Sequence, residues 1–534
     1  MLVLGGCSGE APKADITILN GPDPQSLDPH IVTGQADMRV VLSLFEGLTR
    51  FNPVTADPDP AIAERWEISP DKKTYTFHLR TNALWSTGEP ITAEDFVFSW
   101  ARALDPRTAC DYANQLFYIH NGEEYNTGKL SDPRQLGVKA LDSHTLQAQL
   151  NNPTPFFLEL CAIHALAALP KSFIGQHGDQ WLRRADFPCS GAYVLDFQRV
   201  SDRIRIRKNP HYWDAANVAL NTIDFITCTS PTTAMNLYKT GYADVLWDKL
   251  LVPNELMDVL KQGPDWHPFD FLATEFVRFN VTRGPFTNVL VREAFALAID
   301  RKRLLERIAA GGERPTSHLT PDTIPGYRPP EGLNYDPDRA RRLLEQAGFP
   351  GGRNFPTVQY LFNTTPLNER FAVELQAMWR DELGVNVELR QAEWKVYLDL
   401  QSKIDYEISR SSWVGDYQDP NTFLELFTSN NGNNRTGWTN QTYDKLIDNA
   451  NREPDLSGRE KFFQEAETLL LRQGVPILPI YIYRGHMFFD PNKWDGLHGN
   501  PVDEHLVSAI RPKGWKPEPG RAQAALGSRR MALN

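Results

Sequence analysis

Tyr75-Thr76-Phe77-His78-Leu79-Arg80 alternates apolar and polar side chains one for one. A period of two is that of a half-buried β-strand. The same alternation returns in Leu146, Ala148 and Leu150, and again where Ile204 and Ile206 interleave with Arg203, Arg205 and Arg207. Asn209-Pro210-His211-Tyr212-Trp213-Asp214 then reads as a turn carrying two aromatics. Further on the period changes. Val291, Ala294, Phe295 and Ala298 fall at i, i+3, i+4 and i+7, one face of a helix, with Thr287 as the expected N-cap. Asp336-Pro337 opens a second helix and Gly348 closes it. Val385, Val387 and Leu389 alternate as a strand. Phe462, Ala466, Leu469 and Leu470 form another helical stripe, stopped by Gly474-Val475-Pro476 before an extended segment. Strands and helices thus alternate along the chain, which predicts a mixed α/β protein. No solenoid-period repeat and no low-complexity linker separates the segments. The domains are therefore expected to share several chain crossings.

The 534 residues carry 67 acidic and 56 basic side chains, a net charge of −11. Length gives a prior of about three domains. A chain of this size can bury a core without disulfides or metals. The acidic balance argues against nucleic acid as partner, since phosphate binding needs a basic surface. No apolar run reaches the roughly 20 residues that a spanning helix needs. The 13 Trp and 17 Tyr suit adaptable binding cavities as well as cores.

Leu4-Gly5-Gly6-Cys7 reads as a lipobox, with Cys7 as the lipidated residue and residues 8–15 as a tether. The basic start of a full signal is missing, so the expectation is a leader that begins further upstream. Residues 514–534 lack periodicity and are expected to be disordered. The other four cysteines, Cys110, Cys161, Cys189 and Cys228, form no C-x-x-C pair. Buried thiols and one or two bridges both stay open for them.

Catalytic and cofactor signatures are missing from the sequence. There is no G-x-S-x-G, H-E-x-x-H, G-x-x-x-x-G-K-[ST] or G-x-G-x-x-G. The 12 histidines are dispersed without a pair at metal spacing. Glu123 and Glu124 read as a solvated face. The expectation is a protein without cofactor or metal that is not an enzyme.

Five segments taken together resemble the solute-binding proteins of oligopeptide and dipeptide ABC importers, the large three-domain class. The first is Pro24-Gln25-Ser26-Leu27-Asp28-Pro29-His30 with Leu44-Phe45-Glu46-Gly47-Leu48. The second joins Ala63-Glu64-Arg65-Trp66-Glu67, the Tyr75–Arg80 run, Trp85-Ser86-Thr87-Gly88 and Thr92-Ala93-Glu94-Asp95-Phe96-Val97. The third is Gly191-Ala192-Tyr193 followed by the Asn209–Asp214 turn. The fourth runs from Pro285-Phe286 through Arg292-Glu293-Ala294 to Ala298-Ile299-Asp300-Arg301. The fifth is Arg410-Ser411-Ser412-Trp413-Val414-Gly415-Asp416-Tyr417 with Asp419-Pro420-Asn421-Thr422-Phe423, and it points to the oligopeptide branch. The resemblance spans roughly residues 16–513.

The resemblance implies an α/β, two-lobed periplasmic binding protein with an additional third domain and the ligand buried in the interlobe cleft. Residues 16–45, 172–272 and 484–513 would form lobe I, 46–171 the extra domain and 273–483 the second lobe, hinged near 272 and 484. A carrier of varied peptides must hold main chain tightly and side chains loosely, which strand addition achieves. The shared charged handle is the α-ammonium, and Asp416 matches the family's ammonium-binding aspartate. Without the resemblance, Asp416 would read as a surface or capping residue. Val414 and Gly415, beside Trp413, would offer backbone to the ligand, as would Thr33, Gly34 and Gln35. Relatives carry an acid at the position of Thr33, so more of the task falls to Asp416. Arg410 matches an arginine that meets a peptide carboxylate; a structural ion pair is its other reading. Asn368 stands where a relative has a histidine for carboxylates. Trp394 and Tyr112 match pocket-lining aromatics, with core packing as their alternative. A disulfide of relatives falls here on Val414 and Ala273, so that bridge cannot form.

The function so implied is a monomeric, membrane-anchored lipoprotein of the periplasm or cell surface. It would capture extended oligopeptides and hand them to the transmembrane subunits of an ABC permease. The alternatives are the same fold with a murein peptide, dipeptide, opine-like conjugate or metal complex as ligand, or a secreted hydrolase.

Overall fold

The computed structural model describes residues 12–517, apart from 185, 249–250 and 309–310. The expected lipidation site Cys7 and the stretch 518–534 lie outside the described residues. Two antiparallel strands, Trp266–Phe279 and Ile477–Phe489, form the spine. They are 14 and 13 residues long, well beyond a usual strand, and they carry one 11-stranded sheet through both lobes. On one side the order runs outward from Trp266–Phe279 through Ile408–Val414 and Val358–Asn363 to Val387–Ala392. On the other it runs from Ile477–Phe489 through Val245–Leu246, Ile16–Gly21, Thr222–Thr227 and Arg203–Lys208 to Tyr193–Arg199. The register of the spine shifts between Asp270 and Thr274 and again between Glu275 and Phe276.

The extra domain has its own antiparallel sheet, Ala63–Ile68, Thr74–Leu79, Thr145–Gln149 and Val138–Asp142 in spatial order. Tyr75, Phe77 and Leu79 are buried, as their alternation predicts. The helix Ala93–Leu104 starts where the Asp95 carboxylate accepts from the backbone N–H and the hydroxyl of Thr92, both at 2.9 Å. Its Trp100 is buried and donates its indole N–H to Leu166 O at 3.0 Å.

The quoted sequence motifs turn out to be joints between these bodies. Glu46 accepts from the Tyr212 hydroxyl at 2.5 Å and from the Trp213 indole at 2.6 Å. The Arg80 guanidinium lies over the Trp213 ring, 3.9 Å from its centroid. Asp28 takes a two-pronged contact from Arg102 at 2.7 and 3.1 Å. Burial alone would raise the Asp28 carboxyl; Arg102 and His30 outweigh it and hold the group below its usual range. Gly47 packs so tightly that a Cβ there would stand 2.1 Å from Cys161 O. Arg292 donates to Phe286 O and Gly474 O at 2.6 Å each, pinning the fourth motif to the start of the second spine strand.

Local expectations hold with small shifts. Asp336 caps the helix Pro337–Gln346 by accepting from Arg339 N at 2.9 Å. The helix at 289 is capped by Asn288, not Thr287. Pro285 starts a tight turn, and the Thr287 hydroxyl bonds back to Gly284 O within it, leaving Asn288 Oδ1 for Leu290 N. The strand expected around Val385 begins at Val387. The helix Leu456–Thr468 ends in a wider turn over Leu469–Gly474. Cys110, Cys161, Cys189 and Cys228 are buried free thiols.

Candidate functional site

The strand Ile408–Val414 pairs along its length with Ala273–Phe279. On its other edge Val358–Asn363 reaches only Ile408 and Ser409. Residues beyond Ser409 therefore keep one edge without a strand partner among the described residues. Val414 sits opposite Ala273. Gly415 closes the strand by donating to Leu272 O at 2.8 Å, and a Cβ there would stand 2.6 Å from the Leu272 side chain.

Asp416 follows directly. Its backbone N–H donates to the Thr422 hydroxyl at 3.2 Å, which also receives the Trp413 indole at 3.5 Å. Its carboxylate accepts from Gln115 Nε2 of the extra domain at 3.3 Å. Asp416 forms no ion pair with a cationic side chain among the described residues. Burial pushes its carboxyl up to about 7, and the nearby Glu425 adds to the rise. Glu425 is itself pushed up to about 7 by burial, though Tyr118 and Asn421 each donate to it at 2.8 Å.

Tyr112 shares this space. Its ring stands edge-on to His164 with centroids 4.8 Å apart. Burial pushes its phenol well above the usual value, and the Asp416 and Glu504 carboxylates push it further. Glu504 is raised to about 8 by burial, with Asp503 adding and Arg39 offsetting. Thr33 and Gly34 are exposed just before the helix Gln35–Leu44. Gln35 donates to Asp503 Oδ2 at 3.0 Å, and Arg39 donates to the same oxygen at 2.9 Å. No hydrogen bond joins Thr33, Gly34 or Gln35 to Asp416 among the described residues; Gln35 reaches that region through the Asp503–Glu504 segment.

Arg410 and Asn368 form a second cluster. Arg410 grips Glu275 with two bonds of 2.7 and 2.5 Å and donates to the Tyr483 hydroxyl at 2.9 Å. Its guanidinium is thus paired with Glu275. Asn368 is buried and donates to Asn363 O and Oδ1 at 3.0 Å each, the same Asn363 that Arg410 approaches at 3.5 Å. Trp394 opens the helix Trp394–Ser402 with 50% of its surface exposed and stacks on Tyr397 at 5.5 Å. Gln115, Glu275 and Glu504 lie beside these residues with no motif that marks them in the sequence. Gln115 lies three positions after Tyr112, a faint signal at best, and Glu275 lies only on the strand facing Arg410.

Residues 57–435 match the model of the bacterial extracellular solute-binding proteins, family 5 Middle. The chain belongs to this family. A relative is the periplasmic oligopeptide-binding protein OppA of Salmonella typhimurium, 36% identical over 512 residues, which are 94% of this chain and 93% of that one. Among solved structures, Haemophilus influenzae OppA in complex with the peptide RPPGFSPFR superposes with a TM-score of 0.81 at 31% identity, covering 94% of this chain and 100% of that one. The murein tripeptide-binding protein MppA of Escherichia coli gives 0.83 at 32% identity, covering 94% of this chain and 99% of that one. The unliganded open form of MppA, covered to 98%, gives 0.75. Two lobes around a cleft and a third domain make up the fold, as the resemblance implied.

Proposed function

We propose that this family 5 protein captures oligopeptides in extended form and delivers them to an ABC permease. One observation carries the reading: among the described residues, Asp416 holds a desolvated carboxylate without a cationic partner, at the end of a strand whose outer edge beyond Ser409 has no strand paired to it. A peptide laid along Ser411–Gly415 would add a strand there, and its α-ammonium would meet Asp416. Side chains would then point away from the backbone ladder, which suits varied cargo. The oligopeptide-binding relatives support the same ligand class.

The proposed bodies are 16–45, 172–272 and 484–513 for the first lobe, 46–171 for the extra domain and 273–483 for the second lobe. The register break at Asp270–Thr274 supports a hinge in the spine. Closure would exclude water and strengthen the Asp416 contact. We further propose anchoring through a lipid on Cys7, a monomeric state, a binding role without catalysis and a place outside the cytoplasmic membrane.

Calorimetric titration of purified protein with a tripeptide tests this. Asp416→Asn is expected to weaken binding by about 2–5 kcal/mol, the range for truncating one side of a buried charge pair. Acetylating the tripeptide's amine is expected to cost as much in the wild type and little more in the variant. Unchanged affinity in Asp416→Asn removes Asp416 from the site. Native mass spectrometry of co-purified cargo separates peptides from other solutes.

A further inference from the structure

Arg39 lies on the helix Gln35–Leu44, and only 2% of its surface is exposed. Its two terminal nitrogens donate to Asp248 at 3.1 Å and Asp503 at 2.9 Å, while its Nε has no hydrogen-bond partner. His505 is 7% exposed and stacks on Trp247 with centroids 4.8 Å apart. Its Nε2 stands 2.8 Å from Asp503 Oδ1. A carboxylate only accepts, so Nε2 carries the hydrogen. The other ring nitrogen, Nδ1, is buried without a partner. It offers a lone pair in the neutral ring and a second N–H in the charged ring. Burying two such groups unpaired is costly unless something meets them.

Both side chains line one cleft, where the helix Gln35–Leu44 and the segment 504–507 meet the strand Thr49–Phe51. Glu504, Arg50, Phe45 and Leu506 share its wall. The cleft leaves about 40 Å³ for water-sized bodies, and one water needs roughly 10–15 Å³. A group of about three heavy atoms fits, and a peptide does not. No hydrogen bond reaches the Glu504 carboxyl among the described residues. Burial pushes it up to about 8, with Asp503 adding and Arg39 offsetting, so near neutral pH it keeps its proton and can donate. Tyr112 faces it from the extra domain, and Glu46 and Arg50 stand in the same cleft.

We propose that this cleft binds a small monocarboxylate, at a site separate from Asp416. The carboxylate accepts from Arg39 Nε–H, from the Glu504 O–H and from His505 Nδ1–H, with His505 taking up one proton as the ligand enters. A carboxamide has the same shape but brings no charge to hold that proton. Phe45 and Leu506 suit a short apolar tail. None of this depends on what Asp416 binds.

The test titrates the full chain with acetate and with acetamide, its neutral isostere, by calorimetry. Acetate is expected to bind at least about tenfold more tightly, the worth of a hydrogen bond to a charged group. Proton uptake is expected to show as a heat that varies with the buffer. Affinity is expected to fall as pH rises through the Glu504 value, where that group ionises and repels the ligand. His505→Phe keeps the ring against Trp247, and Asp503 keeps Arg39 and Gln35; this variant is expected to lose the proton uptake and most of the binding. Glu504→Gln, at a half-buried position, is expected to bind acetate near neutral pH with a smaller fall at high pH. Acetate bound no better than acetamide, or acetate binding that neither variant changes, overturns the site. A saturating tripeptide is expected to leave acetate affinity unchanged. Competition between the two would put acetate in the peptide's place and overturn a separate site, whatever Asp416→Asn does to peptides.

Discussion

Arg410 and Asp416 lie six positions apart, and their environments are opposite. Arg410 meets a carboxylate from its own chain: Glu275, with 2% of its side chain exposed against 11% for Arg410. Burial opposes the charge on Arg410, and Glu275 more than restores it. Asp416 receives only an amide. The charge of Arg410 is therefore paired within the protein, whereas among the described residues Asp416 meets no cationic side chain. Arg410→Ala strands Glu275 in the interior. Breaking a buried pair this way costs roughly 3–5 kcal/mol, which urea unfolding of the cargo-free protein would register. If instead stability holds and only affinity for peptides with a free C-terminal carboxylate drops, Arg410 serves cargo.

At the scale of elements, the motifs that mark the family are joints. Glu46 ends the connection out of the first helix, and the Tyr212-Trp213 turn meets it from the other side. Arg80 adds its guanidinium from the strand Thr74–Leu79. This explains why Tyr75–Arg80 and Asn209–Asp214 can be read from sequence although neither run lies at the Asp416 site. Burial raises the Glu46 carboxyl, while Arg50 and the two hydroxyl and indole donors pull it back. Tyr212→Phe keeps the ring packing and removes one bond to a charged acceptor. A loss of about 1.5–3 kcal/mol is expected in denaturant unfolding, with little change in peptide affinity. A selective loss of affinity would mean that this joint senses cargo.

Across the whole molecule, carboxyls with raised values gather where bodies meet. Burial lifts Glu159 to about 8 at its contact with Gln418 N. Asp416 and Glu425 stand near 7 and Glu504 near 8. A carboxyl raised in the folded state contributes fully at low pH and loses that contribution as pH climbs from about 4.5 through its folded value. His30, His164 and His486 act the other way. Burial depresses them to about 3, 4 and 4, so their contribution is lost as pH falls below about 6.5. The two sets oppose each other between about pH 4.5 and 6.5. Above that only the carboxyls act, so the melting temperature of cargo-free protein is expected to fall from pH 6.5 to 8. On the proposed function a free-amine peptide would ionise Asp416 on binding, so the fall is expected to shrink when cargo is present. A flat or rising profile over that range would contradict the grouping.

Local order was legible because it needs only neighbours. The alternation of Tyr75, Phe77 and Leu79, the cap at Asp336 and the stop at Gly474 are set by backbone period and short-range hydrogen bonds. The family, and with it the two-lobed fold, was legible in the quoted motifs because joints demand particular side chains at particular spacings. The partners of those side chains were not legible. Nothing near Arg410 in the chain announces Glu275, which is 135 residues away. Nothing near Asp416 announces Gln115, which is 301 residues away. Whether a charge is spent or free depends on what the folded chain packs against it, and long-range packing is a property of three dimensions that no local pattern encodes.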